Sequence, residues 1–290
     1  MMAKRSFALG GVVVALGAAA AAAVQFWRTH NIGPVQRGWA VAERRGCFAC
    51  HGPGGGSGLP DPGGGVGGAP TFSPDDVQSY AHDEAELREW ILDGMPRRLR
   101  AELEEAALEE RPLIRMPAWR SVLSAREVDD LVAYVKAVSD FEKPDDPRAE
   151  AGREAAARMG CFGCHGPQGR ANLPNPRSLK GYIPSWDGED FPDLVRDEAE
   201  LREWILDGSP RRLRENPLAA FFLRRQVLEM PAYRGRISEE DVGRIVDYVA
   251  WLRRPHGGEK AAHRRGGRRN RRWRSRRTVG RRFNAARAVS

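Results

Sequence analysis

The chain has 290 residues, 41% hydrophobic and only 8% aromatic, with 32 Gly, 20 Pro and four Cys, a length that suits two domains, each able to bury a modest core. Its formal charge of +8 misleads, because residues 253–290 hold fourteen Arg and one Lys against one Glu, a local +14 that leaves −6 for residues 1–252. Strand-like alternation is nearly absent, which excludes a β-rich fold and points to an all-α protein with long irregular loops, while four cysteines confined to two short motifs exclude a disulfide framework.

The amino terminus reads MMAKRSFALGGVVVALGAAAAAAVQFWRTHN, with Lys4 and Arg5 before an uncharged, mostly apolar run from Phe7 to Trp27. At about 1.5 Å rise per residue such a run just spans a hydrocarbon core. The basic flank is expected in the cytoplasm, with Phe26 and Trp27 at the far interface. A cleaved signal peptide is the alternative, Ala21 to Ala23 forming its small-residue site. Residues 1–30 therefore read as a membrane anchor or a signal segment. Both readings export the remainder of the chain, to the periplasmic side of a bacterial inner membrane or, after cleavage, to the periplasm.

A short helix, PVQRGWAVAERRG, leads into CFACH, which places Cys47, Cys50 and His51 within five positions. A Gly/Pro-rich loop follows. Next comes an amphipathic helix on Leu87, Trp90 and Ile91, with Gly94 suited to its C-terminal end. A charged segment, PRRLRAELEEAALEERPLIR, leads to Met116-Pro117-Ala118. A last helix starts at a capping Ser124 and buries Val128, Leu131, Val132 and Val135.

The linker DFEKPDDPRAE is short and Pro-rich, and beyond it the whole order repeats at an offset of 114 residues. DEAELREWILDG occurs at 83–94 and again at 197–208, and Cys47, Cys50 and His51 map onto Cys161, Cys164 and His165. Asp146 and Pro147 read as N-cap and first residue of the second copy's leading helix. Met116 maps onto Met230, and Ser124 onto Ser238, whose helix buries Val242, Ile245, Val246 and Val249. The expected organisation is a segment 1–30, domains at 34–143 and 147–254, and a basic disordered tail at 255–290. The tail suits anionic lipid or an acidic partner; because the chain is exported, no nucleic acid is expected.

Cys-x-x-Cys-His is the attachment sequence of c-type haem. The thiols, one helical turn apart, tether the porphyrin edge, and the adjacent His reaches the iron. Structural zinc needs four ligands where each copy offers three, and a thioredoxin-like dithiol needs a βαβ setting. The sixth ligand must come from the rest of the repeat. Met116 and Met230 align, each 65 residues after its His and each followed by Pro, whereas Met95 aligns with Ser209 and His82 with Arg196. His/Met ligation fills both axial positions, which suits an electron carrier better than an enzyme.

The chain thus resembles a di-haem member of the class I cytochrome c family over about residues 34–254, carried by CFACH and CFGCH, RMPAW and EMPAY, DLVAYV and RIVDYV. The resemblance implies two tandem cytochrome c-like helical domains and two haem c groups, one per domain. Cys47, Cys50, Cys161 and Cys164 would be the tethers, and His51, Met116, His165 and Met230 the ligands. It also implies single-electron exchange with a membrane respiratory complex or other cytochromes. In such families a proline carbonyl accepts the ligand His Nδ1 proton, for which Pro60 or Pro62, and Pro174 or Pro176, are the candidates. Trp90 and Trp204 either donate to a haem propionate or simply pack. A di-haem redox enzyme of peroxidase or thiosulfate-oxidising type is the alternative, as is a haem subunit similar to that of cbb-type oxidases.

Overall fold

The computed structural model of the protein describes residues 31–61, 68–105 and 113–254, with positions 17–19 and 22. The expected tail lies outside the described residues, as does the expected N-terminal span apart from those four positions. Among the described residues no helix is long and apolar enough to cross a membrane.

In the first copy α1 (Pro34–Arg44) leads to α2 (Phe48–His51). The loop after it holds β1 (Leu59–Pro60) and β2 (Gly68–Ala69), which pair antiparallel over two residues. Then come α3 (Pro74–Tyr80), α4 (Glu84–Asp93), α5 (Arg97–Glu105) and α6 (Ala125–Val138). The second copy runs α7 (Pro147–Arg158), α8 (Cys161–His165), α9 (Phe191–Leu194), α10 (Glu198–Asp207), α11 (Arg211–Glu215), α12 (Pro217–Leu223) and α13 (Glu239–Leu252). The expected all-α, duplicated architecture is present.

The first and last helices of each copy cross in near contact. A Cβ at Gly38 of α1 would collide with the Asp130 carbonyl of α6, and one at Gly152 of α7 with the Arg244 carbonyl of α13. Apolar stripes close around the crossings: Val41 and Ala42 against Val128, Leu131 and Val132 in one copy, Ala149, Ala155 and Ala156 with Val242, Ile245, Val246 and Val249 in the other. Each such large aliphatic side chain contributes about 1.5–3 kcal/mol by leaving water. In the first copy Arg37 also grips the buried Asp130 carboxylate with two hydrogen bonds, of 2.8 and 2.6 Å.

Helix ends follow local chemistry. Asp83 and Asp197 each accept the backbone N–H three residues on, at 2.9 Å, and Gly94 and Gly208 close α4 and α10 in the left-handed region at φ 74° and 75°. Ser124 and Glu127 form a reciprocal capping box on α6. Asp146 caps α7, with Pro147 in its first turn. Before Met230 the helix breaks at Asn216, whose ψ of 118° is extended because Pro217 follows.

The two copies touch. Val35, Tyr134 and Ala137 of the first share an apolar cluster with Ala171 of the second. Gly33 N–H donates to Asn172 Oδ1 at 2.7 Å, and Gln168 Nε2 donates to Asp140 Oδ1 at 2.7 Å. Arg153 reaches the other Asp140 oxygen at 3.0 Å, and Arg170 lies 3.6 Å from Glu142.

Replacing Gly152 by Ala forces α7 and α13 apart and should cost about 1–3 kcal/mol by overpacking, read as a lower thermal midpoint. The exposed Gly163, with open space around it, should tolerate Ala without that loss. Glu127 sits far below its usual pKa, at about 2, held by the Ser124 backbone N–H and by Arg45. The stability this contributes is complete above about 4.5 and is lost as pH falls through about 2. Gln can still close the capping box but carries no charge, so Glu127→Gln should lower stability at neutral pH by no more than about 1 kcal/mol once solvent screening is counted, and the gap from the parent should shrink between those limits in denaturant titrations.

Candidate functional site

Each cysteine motif starts from a glycine turn. Gly46 and Gly160 adopt φ of 77° and 74°, which ends the leading helix and starts the short motif helix, and the Cys47 N–H returns to the Ala42 carbonyl at 2.9 Å. The four cysteines form no disulfide, with Cys47 and Cys161 half-buried and Cys50 and Cys164 exposed. Burial pushes the Cys47 thiol up and the Cys161 thiol up to about 11.

The histidines are held by a carbonyl that sequence reasoning missed. His51 Nδ1 faces the Pro70 carbonyl at 2.7 Å, while Pro184, the copy of Pro70 at the 114-residue offset, offers its carbonyl to His165. The second interaction is looser, since the buried His165 Nδ1 does not close a full hydrogen bond. The expected prolines do other work. Pro60 is exposed in the β1–β2 ribbon, Pro174 bridges to Tyr182, Pro176 accepts from Val227 N–H, and Pro62 lies outside the described residues. The offset does not single out this pair, because Pro60 and Pro174, and Pro62 and Pro176, coincide under it just as Pro70 and Pro184 do.

Burial is the main influence lowering both imidazole pKa values, opposed by the proline carbonyls, and it takes His165 down to about 4. Each ring is therefore neutral near pH 7 and, with Nδ1 directed at a carbonyl, offers Nε2 as its ligand atom.

An aromatic girdle surrounds each ring. Phe72 lies 4.7 Å from His51 and Trp186 4.9 Å from His165, centroid to centroid. Phe48 meets Tyr134 edge-on at 6.0 Å, and Phe162 meets Tyr248 edge-on at 6.3 Å. Tyr134 donates to the Gly54 carbonyl and Tyr248 to the Gln168 carbonyl, both at 3.0 Å, which fastens the last helix to the loop after the motif. The between-cysteine aromatics thus pack at the helix interface.

The methionine strand is clamped identically in both copies. The Met116 and Met230 carbonyls lie so close to Gly94 and Gly208 that a Cβ on either glycine would crowd them. Trp119 and Arg120 N–H groups bond the Ile91 and Leu92 carbonyls at 3.2 and 3.1 Å; Tyr233 and Arg234 bond Ile205 and Leu206 at 3.1 and 3.0 Å. Arg120 pairs with Asp93, and Arg234 with Asp207, at 2.7 Å each. Cys47 and Met116 pack against one apolar cluster, Cys161 and Met230 against another. The indole N–H groups of Trp90 and Trp204 are committed to the Tyr80 and Leu194 carbonyls at 3.0 and 3.1 Å, so packing is their role here.

This donor set fits a covalently tethered haem: two thiols on one helical turn, a neutral oriented imidazole, and a thioether fixed against the same core. It does not fit zinc. Among the described residues no group of three or more His, Cys, Asp or Glu is placed to hold a metal ion.

The family model described as cytochrome c oxidase, cbb3-type, subunit III matches the chain twice, over residues 33–135 and 147–249. Neither the curated proteins nor the solved structures give a significant match.

In chain produced without haem attachment, Cys50 and Cys164 should be alkylated faster than Cys47 and Cys161 near pH 8, because burial withholds thiolate from the latter pair. Peptide mass spectrometry reads the four rates separately, and equal rates would contradict the burial pattern.

Proposed function

Since the chain belongs to the cbb3-type cytochrome c oxidase subunit III family and carries two tandem cytochrome c domains, we propose that it relays single electrons through two haem c groups with His/Met ligation, on the periplasmic side of a membrane. Cys47 and Cys50 would tether the first group, with His51 and Met116 as ligands; Cys161 and Cys164 would tether the second, with His165 and Met230. Bound haem supplies the one-electron couple. The protein orients each imidazole, keeps it neutral and holds each thioether on a clamped strand.

The observation that carries this reading is the pairing, in both copies, of a carbonyl-directed histidine with a methionine strand fixed to the C-terminal end of α4 or α10. Filling both axial positions favours electron transfer over ligand chemistry and tends to raise the potential. The contact between copies favours passage from one group to the other, with a membrane respiratory complex or another cytochrome at either end. A second reading, a dedicated subunit of a membrane oxidase, is favoured by the description of the matching family.

A pyridine haemochrome assay should return two haems per chain. The ferric protein should be low-spin and show the weak red charge-transfer band of sulfur ligation. Met116→Ala and Met230→Ala should each remove about half of that band and convert one iron to high-spin, as expected when one of two equivalent Met ligands is lost. A high-spin parent, or variants with the parent spectrum, would rule out the ligand assignment.

A further inference from the structure

The segments before the two methionines have equal length and have diverged in a directed way. Residues 96–116 and 210–230 carry five arginines each, but the first has five glutamates and the second two. Glu104, Glu105, Glu109 and Glu110 stand where the second copy has Leu218, Ala219, Leu223 and Arg224, and Ala107 stands where it has Phe221. A solvated acidic helix would need none of these changes. They produce an apolar surface with a positive border.

The fold presents that surface to solvent. Leu218 and Phe221 are spaced three apart on α12, at 65% and 46% exposure, and the Arg225 guanidinium lies over the Phe221 ring at 5.1 Å. Beyond the helix, Val227 and Leu228 are 59% and 41% exposed. They are pinned there: Val227 N–H donates to the Pro176 carbonyl at 3.1 Å, and Leu228 exchanges two 2.9 Å hydrogen bonds with the Asn175 side chain. Two residues later comes Met230. An exposed apolar stretch pinned by hydrogen bonds from Pro176 and the Asn175 side chain is an interaction surface rather than a fraying loop. Arg177 follows the Pro176 that holds Val227, and Arg224 and Arg225 follow α12, with Glu229 the nearby acid in sequence.

We propose that this surface of the second copy, from Leu218 to Leu228 with Arg177, Arg224 and Arg225 at its border, docks an electron-transfer protein that presents an acidic rim around an apolar centre. The inference rests on the relay reading and gives it a direction. Exchange with the acidic partner occurs at the second domain, and the first domain, whose matching segment is charge-balanced, serves the other end. The positive border steers the encounter and the apolar centre holds the complex beside Met230, on the copy whose Cys161, Cys164, His165 and Met230 would hold the second haem.

The test uses the full haem-loaded chain in detergent and a soluble, acidic single-haem cytochrome c, with exchange followed by stopped flow over a range of ionic strength. Arg224→Glu combined with Arg225→Glu should lower the low-salt rate about tenfold or more and flatten its salt dependence. Phe221→Ser should also lower the rate while leaving the salt dependence steep. Glu104→Arg combined with Glu105→Arg, in the first copy, should change neither. All variants must keep the parent's haem spectrum, which separates lost docking from lost folding. Charge-reversal variants exchanging at the parent rate would overturn the proposal. So would a parent-like rate together with lost binding to vesicles containing phosphatidylglycerol, which would make the surface a lipid contact. A parent chain that takes up haem but exchanges no electrons would instead defeat the relay reading itself.

Discussion

Both halves of this protein depend on two helices that approach until no side chain fits between them. Gly38 and Gly152 lie against backbone carbonyls of the closing helices, and that contact holds against its closing helix the leading helix from whose terminal glycine turn each cysteine motif starts. The closing helix in turn carries Tyr134 or Tyr248, whose hydroxyl fastens the loop after the histidine. The central helix, α4 or α10, completes the frame by ending in a left-handed glycine that accepts the methionine strand. Glycine is required at the crossing for space and at the helix end for conformation, two different physical reasons.

Much of this was legible in the amino-acid order. The 114-residue offset paired the two motifs and the two methionines, and caps and apolar periodicity marked the helix ends. Those features are local: caps, periodic apolar faces and adjacent ligands are written within a few positions of each other. The contacts to the histidine were not local. Pro70 lies 19 residues beyond His51, across a loop whose path is set by the β1–β2 pairing and by Phe72 packing on Gly55, so choosing among the prolines required the fold. The commitment of the Trp90 and Trp204 indoles was hidden similarly, since their partner carbonyls belong to a short preceding helix that composition does not reveal. The brief linker keeps the copies near each other but does not say which of their residues meet. Asn172 and Gln168 match Gly58 and Gly54 of the first copy, and it is the departures from the repeat that build the interface.

The duplication has therefore been kept in frame and altered at its borders. Inside each copy the histidine, methionine clamp and aromatic girdle match position for position. At the junction, Asp140 receives Arg153 and Gln168 from the second copy, and Tyr134 and Ala137 pack with Ala171. On the outer face the glutamate-rich segment of one copy has become the apolar, arginine-bordered segment of the other. A carrier made of two identical modules could pass an electron either way. One with a differentiated outer face and a fixed junction has distinct ends.

If the two proposed His/Met haem sites are formed, the contact between copies holds them at one fixed separation. Pulsed electron paramagnetic resonance on the ferric, full-length protein measures that directly from the dipolar coupling of the two irons. The account predicts two low-spin ferric centres with a single narrow distance distribution. A broad distribution of the kind a flexible linker produces, or a high-spin centre in place of either one, would contradict it.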